Sequence, residues 1–291
     1  MKPMGLLLGT CLLAGSAVAV AQETSALEPP KVLSVTREYT KPGRNGTPHE
    51  KTESAFVQAM ARAKWPTHYL AVDSITGKPR SLFLTGYESF EAWEKDAMAS
   101  QKNATLSAAL DRANLADGDL LAATDQAALL LRPELSLRDS VDIPHMRYFE
   151  ISRYHVRPGH DKDFESLVKL YQKGCEKIPD CHWAAYQAVY GLEDGTYIIF
   201  NPMKSAAQID HAFGDMKAFS DSLGEDGMKK LSELTAVTID SSETNLFSFN
   251  PRMSYTSEEW IKADPDFWKP KAAMADTKKP SKKPAEKPAG Q

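Results

Sequence analysis

Val35-Thr36-Arg37-Glu38-Tyr39-Thr40-Lys41-Pro42-Gly43 and Ile151-Ser152-Arg153-Tyr154-His155-Val156-Arg157-Pro158-Gly159 carry the same pattern twice in one chain of 291 residues. An apolar start, an arginine in third place and a basic-Pro-Gly ending recur in both. Three further blocks follow in the same order: residues 69–72 on 186–189, 82–84 on 198–200, and 130–136 on 248–254. Collinear blocks at a nearly constant offset mark an internal duplication, and such a duplication constrains the fold more than any local propensity.

The periodicities give the elements of each copy. Leu33, Val35, Arg37 and Tyr39 alternate with Ser34, Thr36 and Glu38, a strand pattern that ends at Pro42-Gly43. Residues 53–63 are strong helix formers with Phe56, Ala59, Met60 and Ala63 on one face, and Phe164, Leu167, Val168 and Tyr171 repeat that face. Two strands are predicted over 68–74 and 80–85, joined through Thr76-Gly77-Lys78-Pro79, with Glu193-Asp194-Gly195 as the equivalent turn. A second helix begins after Ser89 as N-cap, and a strand over 128–131 closes the unit. The order is β-α-β-β-α-β, that of a ferredoxin-like unit.

Two such units in tandem resemble the dimeric α+β-barrel superfamily, whose antibiotic-biosynthesis-monooxygenase-like members pair two ferredoxin-like units sheet against sheet. The resemblance covers roughly residues 32–255, is topological, and carries no catalytic motif across. It implies an α+β fold in which two ferredoxin-like βαββαβ repeats pack sheet to sheet as an intrachain pseudo-dimeric barrel. Two tethered independent domains are the alternative, but each sheet would then leave one face bare. The expected organisation is a signal peptide over 1–21, a linker over 22–31, repeats over 32–140 and 145–256, and a C-terminal extension over 257–291.

The leader reading rests on Lys2, the apolar run 6–18 and Ala19-Val20-Ala21 before Gln22, which together predict export, cleavage after Ala21 and a periplasmic or secreted product. That run is too short and too small-residue-rich for a membrane span. Cys175 and Cys181 then remain as a pair suited to a disulfide in an oxidising compartment; half a metal site with His182 is the alternative. From Lys271 the chain carries six lysines against one Asp and one Glu, with no aromatic or β-branched aliphatic residue. That is the composition of a disordered tail, either solvated or adhering to anionic envelope polymers.

Candidate chemistry follows from assigning faces. With Leu33, Val35, Phe149 and Ile151 toward the helices, Ser34, Thr36, Glu38, Tyr148, Glu150, Ser152 and Tyr154 would face the shared interior. Glu38 and Glu150 are then candidate general bases, with Tyr154 and His155 as further proton-handling groups; solvent-facing charges at strand ends are the other reading. Arg37 and Arg153, equivalent in the repeat, would clamp a carboxylate or phosphate or pair with an acidic helix residue, and Tyr148 joins them as a ligand-binding candidate. His155 as a haem ligand is a further option, and His68 lies on a strand beside Tyr69. Trp65 and Trp183 fall at roughly corresponding places, either as packing or flanking an apolar ligand. The chain has no GxGxxG, P-loop or GxSxG motif and no metal spacing, so no cofactor, no metal and no nucleic acid are expected. The reading is a binding or interaction module for a small amphipathic or aromatic molecule. A cofactor-independent oxygenase, isomerase or lyase is the alternative.

Overall fold

A computed structural model describes residues 27–269 of the chain. The predicted leader and lysine-rich tail lie outside the described residues. The first repeat runs β1 (Val32–Thr40), α1 (Thr47–Ala63), β2 (Tyr69–Ser74), β3 (Arg80–Tyr87), α2 (Phe90–Lys102), α3 (Ala104–Gly118), β4 (Leu121–Leu131). The second runs β5 (Tyr148–Val156), α4 (Asp161–Gly174), β6 (Ala184–Tyr190), β7 (Thr196–Met203), α5 (Ala207–Gly214), α6 (Met216–Thr238), β8 (Ile239–Phe249), and is followed by α7 (Glu258–Ala263) and α8 (Pro265–Trp268). Ser89 caps α2 by accepting from the Ala92 amide, as its position predicts. Asn103 does the same for α3, which breaks the predicted second helix in two. Among the described residues no helix is long and apolar enough to cross a membrane.

The eight strands form one closed barrel in the order β1-β3-β2-β8-β5-β7-β6-β4. Each repeat supplies four consecutive strands, and the two sheets join antiparallel where β2 meets β8 and β4 meets β6. This is the dimeric α+β-barrel fold with both units in one chain. The joints are reinforced by exchanged tails: after β8, the Asn250 amide donates to the Ala71 carbonyl and Tyr255 bridges Tyr69. After β4, Arg132 donates to the Ala185 carbonyl and Leu137 bridges Trp183 in the same way.

The registers correct two sequence readings. Val35 pairs with Leu84 and Ile151 with Phe200, as the duplication requires, but Leu84 pairs with Leu70 and Phe200 with Ala184. The second strand of each unit therefore matches three residues away from the sequence alignment, and Tyr69, not Trp65, is the counterpart of Trp183. The face assignment is also reversed. Leu33, Val35, Phe149 and Ile151 point into the barrel, where they form one core with Leu84, Phe200, Phe247 and Phe249. Glu38, Ser152 and Tyr154 lie under the helices. The interior is enclosed by strands on every side and is the drier face, so the wholly apolar sets go there.

Cys175 and Cys181 are disulfide-bonded across a sequence separation of 6. The Arg138 guanidinium donates to the carbonyls of Ile178 (2.6 Å), Glu176 (2.9 Å) and Cys181 (3.1 Å), fixing the same loop from outside. A loop this short gives a modest chain-entropy effect, so Cys175→Ser/Cys181→Ser should lower unfolding free energy by roughly 2 kcal/mol, read by urea denaturation.

Candidate functional site

Among the described residues, two places carry the candidate chemistry. One is a cavity of about 530 Å³ at the barrel end formed by the start of β1 and the end of β3. Its wall is aromatic and aliphatic: Phe149, Trp183, Tyr186, Phe200 and Trp260, with Leu33, Leu70 and Leu84. Polar groups are few, chiefly His68, His182, Asp139 and Ser257. The Tyr186 hydroxyl donates to the Pro30 carbonyl (2.9 Å), so that ring is fixed. His68 stacks on Tyr255 with ring centres 4.8 Å apart, and burial pushes its pKa down, so it is neutral at pH 7.

The second place is a buried polar cluster between the first repeat's sheet and helices α1 and α3. Glu38 comes from β1, His49 and Glu53 from α1 one turn apart, and Asp117 from the last turn of α3. Side-chain atoms of all four lie within 4.8 Å of one another. His49, Asp117 and Glu53 are 1%, 2% and 3% exposed, so bulk water does not solvate their charges. His49 Nε2 donates to Glu38 Oε2 (3.0 Å) and lies 3.5 Å from Asp117 Oδ1, which also accepts from the Thr52 hydroxyl (2.6 Å). The Ser81 hydroxyl donates to Asp73, so at 3.4 Å it accepts from His49 Nδ1. Glu53 Oε1 and Tyr69 Oη are buried without a hydrogen-bond partner.

Burial opposes a charged His49, but the hydrogen bonds to Asp117 and Glu38 outweigh it and lift the pKa to about 10. Burial, followed by the charges of Glu38 and Asp117, pushes Glu53 up to about 9. Both groups hold protons more tightly folded than unfolded. As pH rises past the ordinary ranges, the unfolded chain releases protons that the folded one keeps, so both groups make stability fall toward pH 9–10. In chelator-containing buffer, Glu53→Gln should therefore lose less thermal stability than the parent between pH 7 and pH 9; parallel curves would contradict this.

The second repeat shows what the fold does at this place without the cluster. Glu38 pairs with Ser81 as Tyr154 pairs with Tyr197, so these positions correspond. His49 lies over that pair, and in the second repeat Phe164 lies over Tyr154 and Tyr197. Leu167, Val168 and Val156 complete an apolar layer there. The polar cluster is thus a property of one copy, not of the architecture.

The sequence-derived candidates do not converge. Glu38 is in the cluster. Glu150 is half-buried, its pKa raised by burial alone, and Tyr154 packs on Phe164. His155 bonds the Asp194 carbonyl (3.1 Å), and Tyr148 lines neither cavity described here. Arg37 and Arg153 point inward rather than toward the helices. They share a smaller cavity of about 230 Å³ at the opposite end of the barrel, where Arg37 pairs with Asp125, and Arg153 and Arg80 with Glu243. Trp65 lies outside the large cavity and donates to Asp96. His49 was not singled out by sequence. The signal for it was the Thr47-Pro48 helix start, which places His49 and Glu53 at i, i+4 on one face.

No family model matches the chain, and no curated protein is significantly similar to it. Several solved structures are similar in fold. An anthrone oxidase-like protein is 16% identical with a TM-score of 0.47, covering 80% of this chain and 97% of its own. A candidate monooxygenase of Lactobacillus acidophilus is 8% identical with a TM-score of 0.46, covering 75% of this chain and 94% of its own. A variant chlorite dismutase of Candidatus Nitrospira defluvii is 10% identical with a TM-score of 0.41, covering 80% and 95%.

Proposed function

We propose that the protein binds a small, mainly apolar molecule of aromatic character in the large cavity at the barrel end. The observation that carries this reading is the cavity itself: about 530 Å³, walled largely by aromatic rings, among them Phe149, Trp183, Tyr186, Phe200 and Trp260, with a few polar groups. Size and lining are those of small-molecule sites, in which apolar walls supply affinity and sparse polar groups fix orientation. The rings are held by the barrel and its tails, so little ordering entropy opposes binding.

The test uses 1-anilinonaphthalene-8-sulfonate, whose fluorescence rises in an apolar site. Ala184 lies in the wall beside Trp183 and Tyr186. Ala184→Phe should weaken the probe and Ala184→Trp should abolish its binding, with the far-ultraviolet circular dichroism unchanged. Equal binding to parent and both variants would overturn the reading.

A second reading, chemistry on the bound molecule, is favoured by one observation. A neutral His68 on the wall of an apolar cavity is placed to accept a proton from a ligand. An exported location is part of the same proposal and is supported by the Cys175–Cys181 bond, which suits an oxidising compartment.

A further inference from the structure

We propose that Glu38, His49, Glu53 and Asp117 are the ligands of a first-row divalent transition-metal ion held between the first repeat's sheet and helices α1 and α3. The site is separate from the large cavity, and the proposal does not depend on what that cavity binds. It also replaces the expectation, drawn from sequence spacing, that the chain takes no metal.

The geometry is close to that of a metal site. Ligand atoms about 2.1 Å from one ion lie no more than about 4.2 Å apart. The four side chains already sit within 4.8 Å of one another, with His49 Nε2 at 3.0 Å from Glu38 and 3.5 Å from Asp117. The longest separation has about 0.6 Å to close before it reaches that limit. The imidazole is also oriented for ligation. Because the Ser81 hydroxyl is committed to Asp73, it accepts from Nδ1–H, and a neutral ring then directs its Nε2 lone pair at the carboxylates. Asp73 in turn accepts from Asn250 Nδ2 (2.6 Å), so the group orienting the histidine is itself held, as outer-shell partners of metal-bound histidines are.

Two observations independent of the clustering point to a missing partner. Glu53 Oε1 is buried in a residue 3% exposed and has no hydrogen bond, although a buried carboxylate oxygen left unpaired is costly. The second repeat fills the same place with Phe164, Val168 and Tyr197, so nothing in the fold requires charge there. An ion satisfies the orphaned oxygen and offsets the mutual repulsion of three carboxyl groups.

The donor set selects the class of ion. Three carboxylates without thiolate disfavour copper(I), and an imidazole nitrogen disfavours magnesium and calcium, so the set suits a first-row divalent ion such as manganese(II), iron(II) or zinc. Tyr69 stands between this site and the large cavity: it contributes to the cavity wall, and its buried hydroxyl has no hydrogen-bond partner.

The experiment is calorimetric titration of chelator-treated protein with manganese(II) chloride, followed by electron spin-echo spectroscopy of the loaded sample. The expected result is one ion per chain, nitrogen modulation from one imidazole, and binding weakened at least about tenfold in Glu53→Gln. His49→Gln should lose the nitrogen signal. Should it fail to fold, the Glu53→Gln titration decides alone, since that change is isosteric. Glu150→Gln, a half-buried carboxyl under the other repeat's sheet, should bind as the parent does. No binding by the parent, no nitrogen modulation in the loaded parent, or equal affinity in parent and Glu53→Gln overturns the proposal.

Discussion

His49→Ala should lower unfolding free energy by about 3–5 kcal/mol in chelator-containing buffer, because it removes the cation that faces Glu38 and Asp117 within a buried cluster. The loss should exceed that of an alanine substitution at an exposed histidine such as His211 many-fold. Removing the whole cluster should be far milder. Glu38→Leu/His49→Phe/Glu53→Met/Asp117→Leu replaces four desolvated polar groups by side chains like those the second repeat uses, and comparable exchanges are neutral or stabilising by about 1–4 kcal/mol. Urea denaturation of both variants checks the contrast. A single variant that loses more stability than the quadruple one identifies the cost as unpaired buried charge rather than lost packing. A quadruple variant at least as destabilised as His49→Ala would refute it.

Trp268→Ala should cost about 3–5 kcal/mol, the range for truncating a large buried aromatic residue. Trp268 is 2% exposed, packs against Phe249, Trp260 and Phe267, and donates its indole N–H to the Pro144 carbonyl (2.7 Å). The segment carrying it is also tied by the Arg147–Asp264 ion pair and by His145, whose Nε2 donates to the Ala263 carbonyl (3.1 Å). Residues that follow both repeats are therefore part of the barrel's own core. A chain ending after Thr256 should be destabilised at least as much as Trp268→Ala, with thermal unfolding followed by circular dichroism as the measurement.

The duplication was legible because the repeated phrase sits on β1 and β5, which pair along nearly their whole length with a strand of their own repeat on either side and so have little freedom to diverge. Strand order and barrel closure followed from it. The three-residue slip at the second strand was not legible, because Tyr69 and Tyr186 look alike although Tyr69 lies on the outer face and Tyr186 inside the barrel. Face assignment failed for a related reason: alternation shows that a strand has two faces, but not which one is drier. Alternation alone marks Glu38 as a carboxyl that burial can make special, and it is one member of the cluster. Its partners were hidden because α1 begins six residues before the predicted start, and because Asp117 lies near the end of a helix that no sequence pattern had separated.

Covalent linkage of the two units has a consequence for how such a barrel can change. In a homodimer every substitution appears twice, so a costly polar group beneath one sheet is necessarily beneath the other. Here the half containing Phe164, Val168 and Tyr197 keeps a dry helix-to-sheet layer, and its partner is free to carry Glu38, His49, Glu53 and Asp117. One copy stabilises the shared barrel while the other is released from symmetry.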